Sequence, residues 1–238
     1  MIYIIGDSHV SVFSGTDTTH DGLRHIQPEF GECYTIKKGK LRDKINRFEQ
    51  KILYFCPIKI GSHTAYNSYS KLYKIEMAIE EYNIKEKEYI FLCFGEIDIR
   101  NHIGPKAQKE NISLEKGIEV CVEEYMRTVT YLKSKYKNIN IGVYGPPASS
   151  TGYWNNSTVY GFADVVTRNK MTLYFNKYLK KRCDEYNIIF KEIASKMILD
   201  NGTTNQKFIM DDIHLSQKTM PLIKEEFSDI IKKCGFIL

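Results

Sequence analysis

Three short apolar runs, each ended by a glycine, constrain the fold of this chain more than any other feature of its sequence. They cover residues 2–5, 89–94 and 139–144. Runs of this length that are rich in branched and aromatic side chains are typical of strands buried on both faces of a parallel sheet. A shorter run at 188–190 predicts a fourth strand, and a fifth is expected within 52–60, where Pro57 interrupts the apolar pattern.

Helical periodicity lies between these strands and predicts four helices. They are expected at residues 66–82, 114–132, 171–186 and 222–234. Ser113 is placed to cap the second helix, Pro221 is tolerated in the first turn of the last one, and Gly235 is typical of its end. Because strands alternate with helices, we predict an α/β fold in which a parallel sheet has helices on both faces.

The composition indicates an ordinary globular protein. The chain has 238 residues, of which 42% are hydrophobic and 26% charged, and we expect one domain spanning residues 1–238. No apolar run approaches the roughly 20 residues that cross a bilayer, so a membrane is not an expected partner. The net charge is +5, and the basic residues are scattered among acids. Nucleic-acid binding needs basic residues clustered on one face, and it is therefore not expected.

The cysteines and the first residues of the chain bear on its compartment. The six cysteines are widely spaced and form no C-x-x-C pair, which favours free thiols over a disulfide framework or a zinc site. Met1 precedes a short apolar run that has neither a basic leader nor a small-residue cleavage site. We therefore expect a cytoplasmic protein without a metal site.

Two polar motifs, near opposite ends of the chain, can each supply part of a serine-dependent catalytic site. Residues 6–9 read Gly-Asp-Ser-His directly after the first predicted strand, where Ser8 can present its hydroxyl and its N–H at the top of the sheet. Residues 211–214 read Asp-Asp-Ile-His just before the last predicted helix. There Asp211 can fix the tautomer of His214. Taken alone, each motif is more often a turn or a helix cap.

Two further motifs also follow predicted strands. Residues 95–100 read Gly-Glu-Ile-Asp-Ile-Arg, which places two acids and an arginine at the carboxyl end of a strand, where open α/β sheets form their sites. A structural ion pair between Asp98 and Arg100 explains these residues equally well. Residues 61–63 read Gly-Ser-His, and Gly61 can offer an unhindered backbone N–H.

In this order along the chain, the four motifs resemble the sequence blocks of the SGNH/GDSL hydrolase superfamily. Gly6-Asp7-Ser8 matches the first block, which carries the nucleophile, and residues 211–214 match the last block, D-x-x-H. The resemblance implies a flavodoxin-like, three-layer α/β/α sandwich and ester or acyl chemistry without a cofactor. It also implies Ser8 as nucleophile, His214 as general base and Asp211 as the acid that orients it. Asp212 is out of register with the block.

The blocks that supply oxyanion donors depart from the family pattern at one position. The family has G-x-N-D where this chain has residues 95–98, and the Ile97 side chain has no hydrogen to donate. Gly61 matches the glycine whose backbone N–H binds the oxyanion in the family. Candidates for the missing side-chain donor are Arg100, His63 and Asn67.

The form G-E-I-D-x-R is similar to that of a subgroup of these proteins associated with bacterial surface-polysaccharide synthesis. The resemblance therefore implies an acylated carbohydrate as substrate, with Glu96, Asp98 and Arg100 at its binding site. It also implies that Glu96 and Arg100 hold the loop together. Trp154, the only tryptophan, lies in an irregular stretch after a predicted strand and is placed to stack on a sugar ring. Packing of this aromatic loop against its own domain is the alternative.

Three other functions remain open on the sequence alone. An O-acyltransferase would use the same three residues with a sugar hydroxyl in place of water. A metallophosphoesterase would use Asp7 and His9 as a D-x-H pair, although the other ligand motifs of that class are missing from the sequence. A binding protein that has lost catalysis would explain Ile97, but it would not need the complete serine, histidine and aspartate set.

Overall fold

One sheet forms the centre of the protein. The structure, a computed structural model, describes residues 1–14, 34–37, 40–42, 54–61, 63–150, 162–211 and 213–236. The strands in these ranges are β1 (Ile2–Gly6), β2 (Tyr34–Lys37), β3 (Lys40–Arg42), β4 (Phe55–Lys59), β5 (Tyr89–Cys93), β6 (Asn140–Tyr144) and β7 (Ile189–Lys191). Their order in the sheet is β3-β2-β4-β1-β5-β6-β7, and only β3 runs antiparallel to its neighbour. The predicted α/β fold with a parallel sheet is confirmed.

Helices connect most of these strands. They are α1 (Leu72–Glu81), α2 (Ile103–Glu110), α3 (Leu114–Lys135), α4 (Val165–Glu185), α5 (Ala194–Met197), α6 (Met220–Glu226) and α7 (Ser228–Lys233). Short 3-10 helices cover Ser8–Ser14, Tyr69–Lys71, Gln206–Phe208 and Gln217–Thr219, and a π-helical turn covers Asp98–His102. In the described ranges, no helix has the length and apolar character needed to span a lipid bilayer.

The helices cover both faces of the sheet, because successive side chains of a strand point to opposite faces. On β1, Ile5 joins a buried cluster that includes side chains of α1, α3 and α4. Ile2 and Ile4 join a second cluster, which includes side chains of α5, α6 and α7. The predicted three-layer α/β/α sandwich is therefore confirmed.

The topology creates a crevice beside the end of β1. The strands β4-β1-β5-β6-β7 have the flavodoxin-like order, in which the chain leaves β1 toward one edge of the sheet and later β5 toward the other. Open α/β sheets bind their ligands at this reversal, outside the carboxyl ends of the strands. Ser8 lies two residues after the end of β1, so the fold places it at the crevice.

Gly6 brings the ends of β1 and β5 into close contact. A Cβ atom at this position would lie 2.2 Å from the carbonyl oxygen of Cys93, and backbone cannot move aside as a flexible side chain can. The Asp7 N–H donates to the same oxygen over 3.4 Å. Glycine at position 6 is therefore a requirement of the strand pairing that positions Ser8.

Replacing Gly6 by alanine is expected to destabilise the protein by about 1–3 kcal/mol, the usual cost of overpacking a core, and to lower activity by displacing Ser8. Urea unfolding measures the change. Gly117→Ala is the control, because a Cβ there meets the Ile103 side chain at 3.2 Å and no backbone atom that closely. Equal stability of the Gly6→Ala protein and the wild type would contradict this account of the β1 end.

Candidate active site

Ser8, His214 and Asp211 form one continuous hydrogen-bonded chain at the carboxyl edge of the sheet. The Nε2 atom of His214 lies 2.9 Å from the Oγ atom of Ser8, and its Nδ1 atom lies 2.7 Å from Oδ2 of Asp211. Ser8 begins the 3-10 helix after β1, whereas the other two residues precede α6 by several residues. The three residues that the sequence predicts to act together therefore lie in the arrangement expected of a nucleophile, a base and an orienting acid.

Asp211 holds both the side chain and the backbone of His214. Its Oδ1 atom accepts the backbone N–H groups of Ile213 and His214, each over 2.7 Å. Burial by itself would raise the pKa of Asp211, but the hydrogen bonds and charge of His214 outweigh it and leave the pKa below its usual value. The ionised carboxylate therefore persists at neutral pH and fixes the hydrogen of His214 on Nδ1. Asp212 lies outside the described residues.

Gly61 is held near Ser8 by a backbone contact of its neighbour Ile60. The N–H of Ile60 donates to the carbonyl of Gly6 over 2.9 Å, so the chain after β4 runs next to residues 7 and 8. Gly61 has a φ of +102°, a conformation that favours glycine. Its position fits the predicted role of an oxyanion donor, and Ser8 contributes the first N–H of its helix.

The Asp98 carboxylate binds the backbone of the segment after Gly61. It accepts the N–H of Ala65 over 2.6 Å and that of Tyr66 over 3.4 Å. Burial raises the pKa of Asp98 to about 7, although these two N–H groups oppose the rise. In the described part of the chain, no hydrogen bond links Asp98 to Ser8, Asp211 or His214, and its position indicates that it anchors the backbone of residues 65–66.

Arg100 pairs with Glu96, so the proposed ion pair between Asp98 and Arg100 was wrong. The Nε and Nη2 atoms of Arg100 donate to the two carboxylate oxygens of Glu96 over 2.7 Å and 3.1 Å. Residues four apart lie on the same side of a helical turn, whereas residues two apart do not face each other. Both partners are largely buried, which makes this fork-to-fork pair a rigid part of the site.

The three candidates for the missing oxyanion donor differ in burial and in what their side chains bind. Arg100 is committed to Glu96, and Asn67 is exposed at a cavity beyond Asp98. His63 is 3% exposed, and neither of its ring nitrogens has a hydrogen-bond partner within the described ranges. Burial, followed by the charges of Lys74 and Lys71, lowers the pKa of His63 to about 4, so its ring is neutral and carries one N–H at neutral pH.

The cavity beyond Asp98 is separate from the Ser8 hydroxyl. It has a volume of about 240 Å³, and neither Ser8 nor His214 lines it. Its lining includes Tyr66, Asn67, Asp98, His102, Lys106 and Cys121. Asp98 thus lines this cavity and also accepts the backbone N–H groups of residues 65 and 66.

His9 was overlooked in the sequence as part of the serine site. It is 3% exposed, and its ring centroid lies 5.4 Å from that of His214. Its Nδ1 atom lies 3.1 Å from Oδ1 of Asp7, so the two side chains of the D-x-H motif bind each other. Among the residues that the structure describes, no three histidine, cysteine or acidic side chains cluster as metal ligands would. The position of His9, next to the predicted nucleophile Ser8, was the feature of the sequence that could have indicated its place in this site.

Trp154 lies outside the described residues, but both ends of the segment that contains it are fixed by one side chain. Arg168 is 4% exposed and donates to the carbonyl of Ser150 over 2.8 Å and to the carbonyl of Ala163. These two carbonyls flank residues 151–161, so Arg168 holds the described ends of the segment together.

The cysteines in the described ranges are free thiols, as expected. They are Cys56, Cys93, Cys121, Cys183 and Cys234. Burial raises the pKa of Cys93 and of Cys121. A buried thiol with a raised pKa is inert at neutral pH, so neither of these two is a nucleophile.

Comparison with known proteins gives matches to solved structures only. No protein-family model and no curated protein sequence matches the chain. A GDSL-like lipase from Bacteroides thetaiotaomicron aligns with a TM-score of 0.56 over 98% of this chain and 88% of that chain, at 10% identity. A lipase/acylhydrolase from Enterococcus faecalis aligns with a TM-score of 0.50 over 98% and 95%, at 16% identity. The chain therefore has the α/β fold of the SGNH/GDSL hydrolase superfamily.

Proposed function

We propose that the protein is a serine ester hydrolase that works through an acyl-enzyme on Ser8. The observation that carries this proposal is the unbroken chain from Ser8 Oγ through the His214 imidazole to the Asp211 carboxylate, with separations of 2.9 Å and 2.7 Å. A hydroxyl becomes a useful nucleophile at neutral pH when a positioned base can take its proton. The names of the similar structures, a GDSL-like lipase and a lipase/acylhydrolase, agree with ester chemistry.

In the first half of the reaction, Ser8 Oγ attacks the ester carbonyl carbon while His214 Nε2 takes the hydroxyl proton. The backbone N–H groups of Ser8 and Gly61 bind the oxyanion of the tetrahedral intermediate. Asp211 stabilises the imidazolium that forms. When the intermediate collapses, the bond from carbon to the alcohol oxygen breaks, and His214 returns the proton to the departing alcohol. The acyl group is then bonded to Ser8.

In the second half, a water molecule attacks the acyl-enzyme and His214 takes one of its protons. Collapse of this second intermediate breaks the bond to Ser8 Oγ, releases the carboxylic acid and returns the proton to Ser8. A sugar hydroxyl in place of water would complete an acyl transfer instead, so hydrolase and O-acyltransferase share every step before this one.

The proposed substrate is an acylated carbohydrate, with the acetyl ester as the simplest case. This part of the proposal rests on the G-E-I-D-x-R sequence at residues 95–100 and on Trp154. A role in surface-polysaccharide metabolism, a cytoplasmic location and a single domain over residues 1–238 remain predictions from the sequence.

Hydrolysis of p-nitrophenyl acetate by the wild type and by Ser8→Ala, each with and without EDTA, tests the proposal. We expect hydrolysis by the wild type, no effect of EDTA, and only background hydrolysis by Ser8→Ala. Ser11→Ala is the matched control, because Ser11 lies in the same 3-10 helix and is equally buried but is not part of the chain to Asp211.

The alternatives give different results in the same assay. Loss of activity with EDTA and not in Ser8→Ala would identify the metallophosphoesterase instead. Acetyl transfer to a sugar that exceeds release to water, again abolished in Ser8→Ala, would identify the O-acyltransferase. Absence of any reaction of Ser8 with esters or with a fluorophosphonate would identify a binding protein.

A further inference from the structure

A second buried network, of hydrogen bonds and ion pairs, lies beside His214, the proposed base. Its members are Asp7, His9, Glu96 and Arg100, with exposed side-chain fractions of 1%, 2%, 6% and 13%. His9 is the centre of it: Nδ1 faces Asp7 Oδ1 at 3.1 Å, and Nε2 faces Glu96 Oε2 at 3.8 Å. None of these contacts takes part in the acyl transfer described above.

The same Nε2 atom of His9 also reaches the loop that carries the base. It lies 3.3 Å from the carbonyl oxygen of Ile213. That carbonyl belongs to the peptide unit whose N–H, on His214, donates to Asp211 Oδ1 over 2.7 Å. The peptide unit directly before His214 is therefore held at both ends, by His9 at its oxygen and by Asp211 at its hydrogen.

We propose that His9 is a positioning residue, whose imidazole holds the Ile213 carbonyl and thereby keeps His214 Nε2 directed at Ser8. The inference rests on the proposed function, since it assigns His9 a part in the same reaction. It also explains the sequence of residues 96–100, because the Glu96–Arg100 pair places a carboxylate against His9, on the side away from Asp7.

The positioning requires the charged form of His9. A neutral imidazole has one N–H and one lone pair. With its hydrogen on Nδ1, the Nε2 lone pair would face the Ile213 carbonyl oxygen, and with its hydrogen on Nε2, the Nδ1 lone pair would face Asp7. Only the imidazolium donates to both oxygens at once.

The surroundings of His9 favour that charged form. The groups that face it are Asp7, Glu96, Arg100 and His214. Burial alone would lower the pKa of His9, and Arg100 acts in the same direction, but the carboxylates of Asp7 and Glu96 raise it to about 9. Because this value exceeds the ordinary 6.5, the stabilisation is complete below pH 6.5 and is lost as the pH rises through about 9. Activity is expected to fall over the same range.

The first test observes the histidine ring and needs no catalysis. In ¹³C-histidine NMR spectra of the whole protein, the signal that disappears in His9→Gln is expected to titrate near pH 9 in the wild type. Glu96→Gln is expected to lower this midpoint by about one unit or more. Glu123→Gln is the control, because it removes an acid that pairs with Arg182 and should leave the midpoint unchanged. A His9 midpoint at or below 6.5, or one that Glu96→Gln does not move, would overturn the inference.

The second test measures the consequence for the base. His9→Phe keeps a flat ring but cannot donate, and it is expected to lower kcat for p-nitrophenyl acetate about 10- to 100-fold while KM stays the same. His9→Gln can donate to Ile213 at any pH, so it should recover most of kcat and lose the alkaline fall. Wild-type kcat in His9→Phe would refute the positioning role.

The two proposals fail in different ways. If no variant hydrolyses an ester, the proposed function fails, while the NMR titration still decides the state of His9. In that case, the signal assigned through His214→Gln reports the position of the base. It is expected to shift in His9→Phe and to stay near its wild-type position in His9→Gln, and an unshifted signal in His9→Phe would overturn the inference.

Discussion

Ser8→Ala and His214→Ala are each expected to lower kcat by about 10⁶-fold, and the double variant is expected to be no slower than either single one. A serine without its base is not a nucleophile at neutral pH, and a base without its serine has no proton to take. The 2.9 Å contact between Ser8 Oγ and His214 Nε2 makes them one functional unit. The residual rate comes from the backbone N–H groups of Ser8 and Gly61, which all three variants keep.

The measurement is single-turnover release of p-nitrophenol by the wild type, the two single variants and the double variant. Circular dichroism and thermal unfolding check that each variant is folded. If the two substitutions act independently, the factor by which the double variant is slowed equals the product of the factors for the two single variants. That result would contradict the proposed mechanism.

Asp211→Asn is expected to lower kcat by about 10⁴-fold with little change in the fold. Asparagine keeps an oxygen for the N–H groups of Ile213 and His214, so the loop retains its backbone contacts. Its amide hydrogens, however, would face His214 Nδ1 and drive the imidazole hydrogen onto Nε2. That nitrogen would then donate to Ser8 Oγ and could not accept its proton.

Asp211→Asn is also expected to change how the free energy of unfolding depends on pH. The pKa of Asp211 is lower in the folded protein than its ordinary value of 3.8. Its stabilising contribution is therefore present above pH 3.8 and is lost as the pH falls through the lower, folded value. Urea unfolding of the wild type and Asp211→Asn should differ at neutral pH and converge in acid. Asp200→Asn, on an exposed loop, is the control for removal of a charge. A difference that grows in acid would contradict the assignment.

The sequence predicted best those elements whose own residues determine their structure. Short, mainly apolar runs predicted β1, β5 and β6 within one residue at each end. The helix expected from residue 114 begins at Leu114, and the Ser113 hydroxyl caps it by accepting the Lys116 N–H over 3.1 Å. The fourth strand, expected at 188–190, is Ile189–Lys191.

Elements that depend on distant partners were placed less well. The helix expected over 66–82 begins only at Leu72. Asp98 accepts the backbone N–H groups of Ala65 and Tyr66, and these hydrogen bonds hold the start of the segment in a turn rather than in an α-helix. The helix expected from 171 begins at Val165, where Asp164 accepts the Thr167 N–H as a cap that the apolar period does not reveal. The last predicted helix is two helices that meet at Phe227.

Some elements left no usable pattern in the sequence. The short strands β2 and β3 and the helix α2 were not predicted. Helix α2 reads Ile-Gly-Pro-Lys-Ala-Gln-Lys-Glu, with a glycine and a proline in its first turn, and it is stabilised by packing on α3 rather than by its own composition. Propensity is a weak guide where tertiary contacts decide the structure.

The candidate site shows the same division between local and distant information. Motif order predicted that Ser8 and His214 belong together, although 206 positions separate them. The contact of His9 with the Ile213 carbonyl joins segments 204 positions apart, and no sequence pattern in either segment predicts this contact. The family resemblance implied that Glu96 and Arg100 hold their loop together. The four-residue spacing predicts their ion pair only if residues 96–100 are helical rather than extended, and the sequence did not predict that helical turn.

Intact-mass analysis after treatment with a fluorophosphonate shows directly whether Ser8 is an activated nucleophile. We expect one covalent adduct on the wild type, located on Ser8 by peptide mapping, and no adduct on Ser8→Ala. Labelling of His214→Ala should be slowed to near the background rate, because the base activates the hydroxyl. An unlabelled wild type, or an adduct that persists in Ser8→Ala, would contradict the claim that this chain carries out ester chemistry on Ser8.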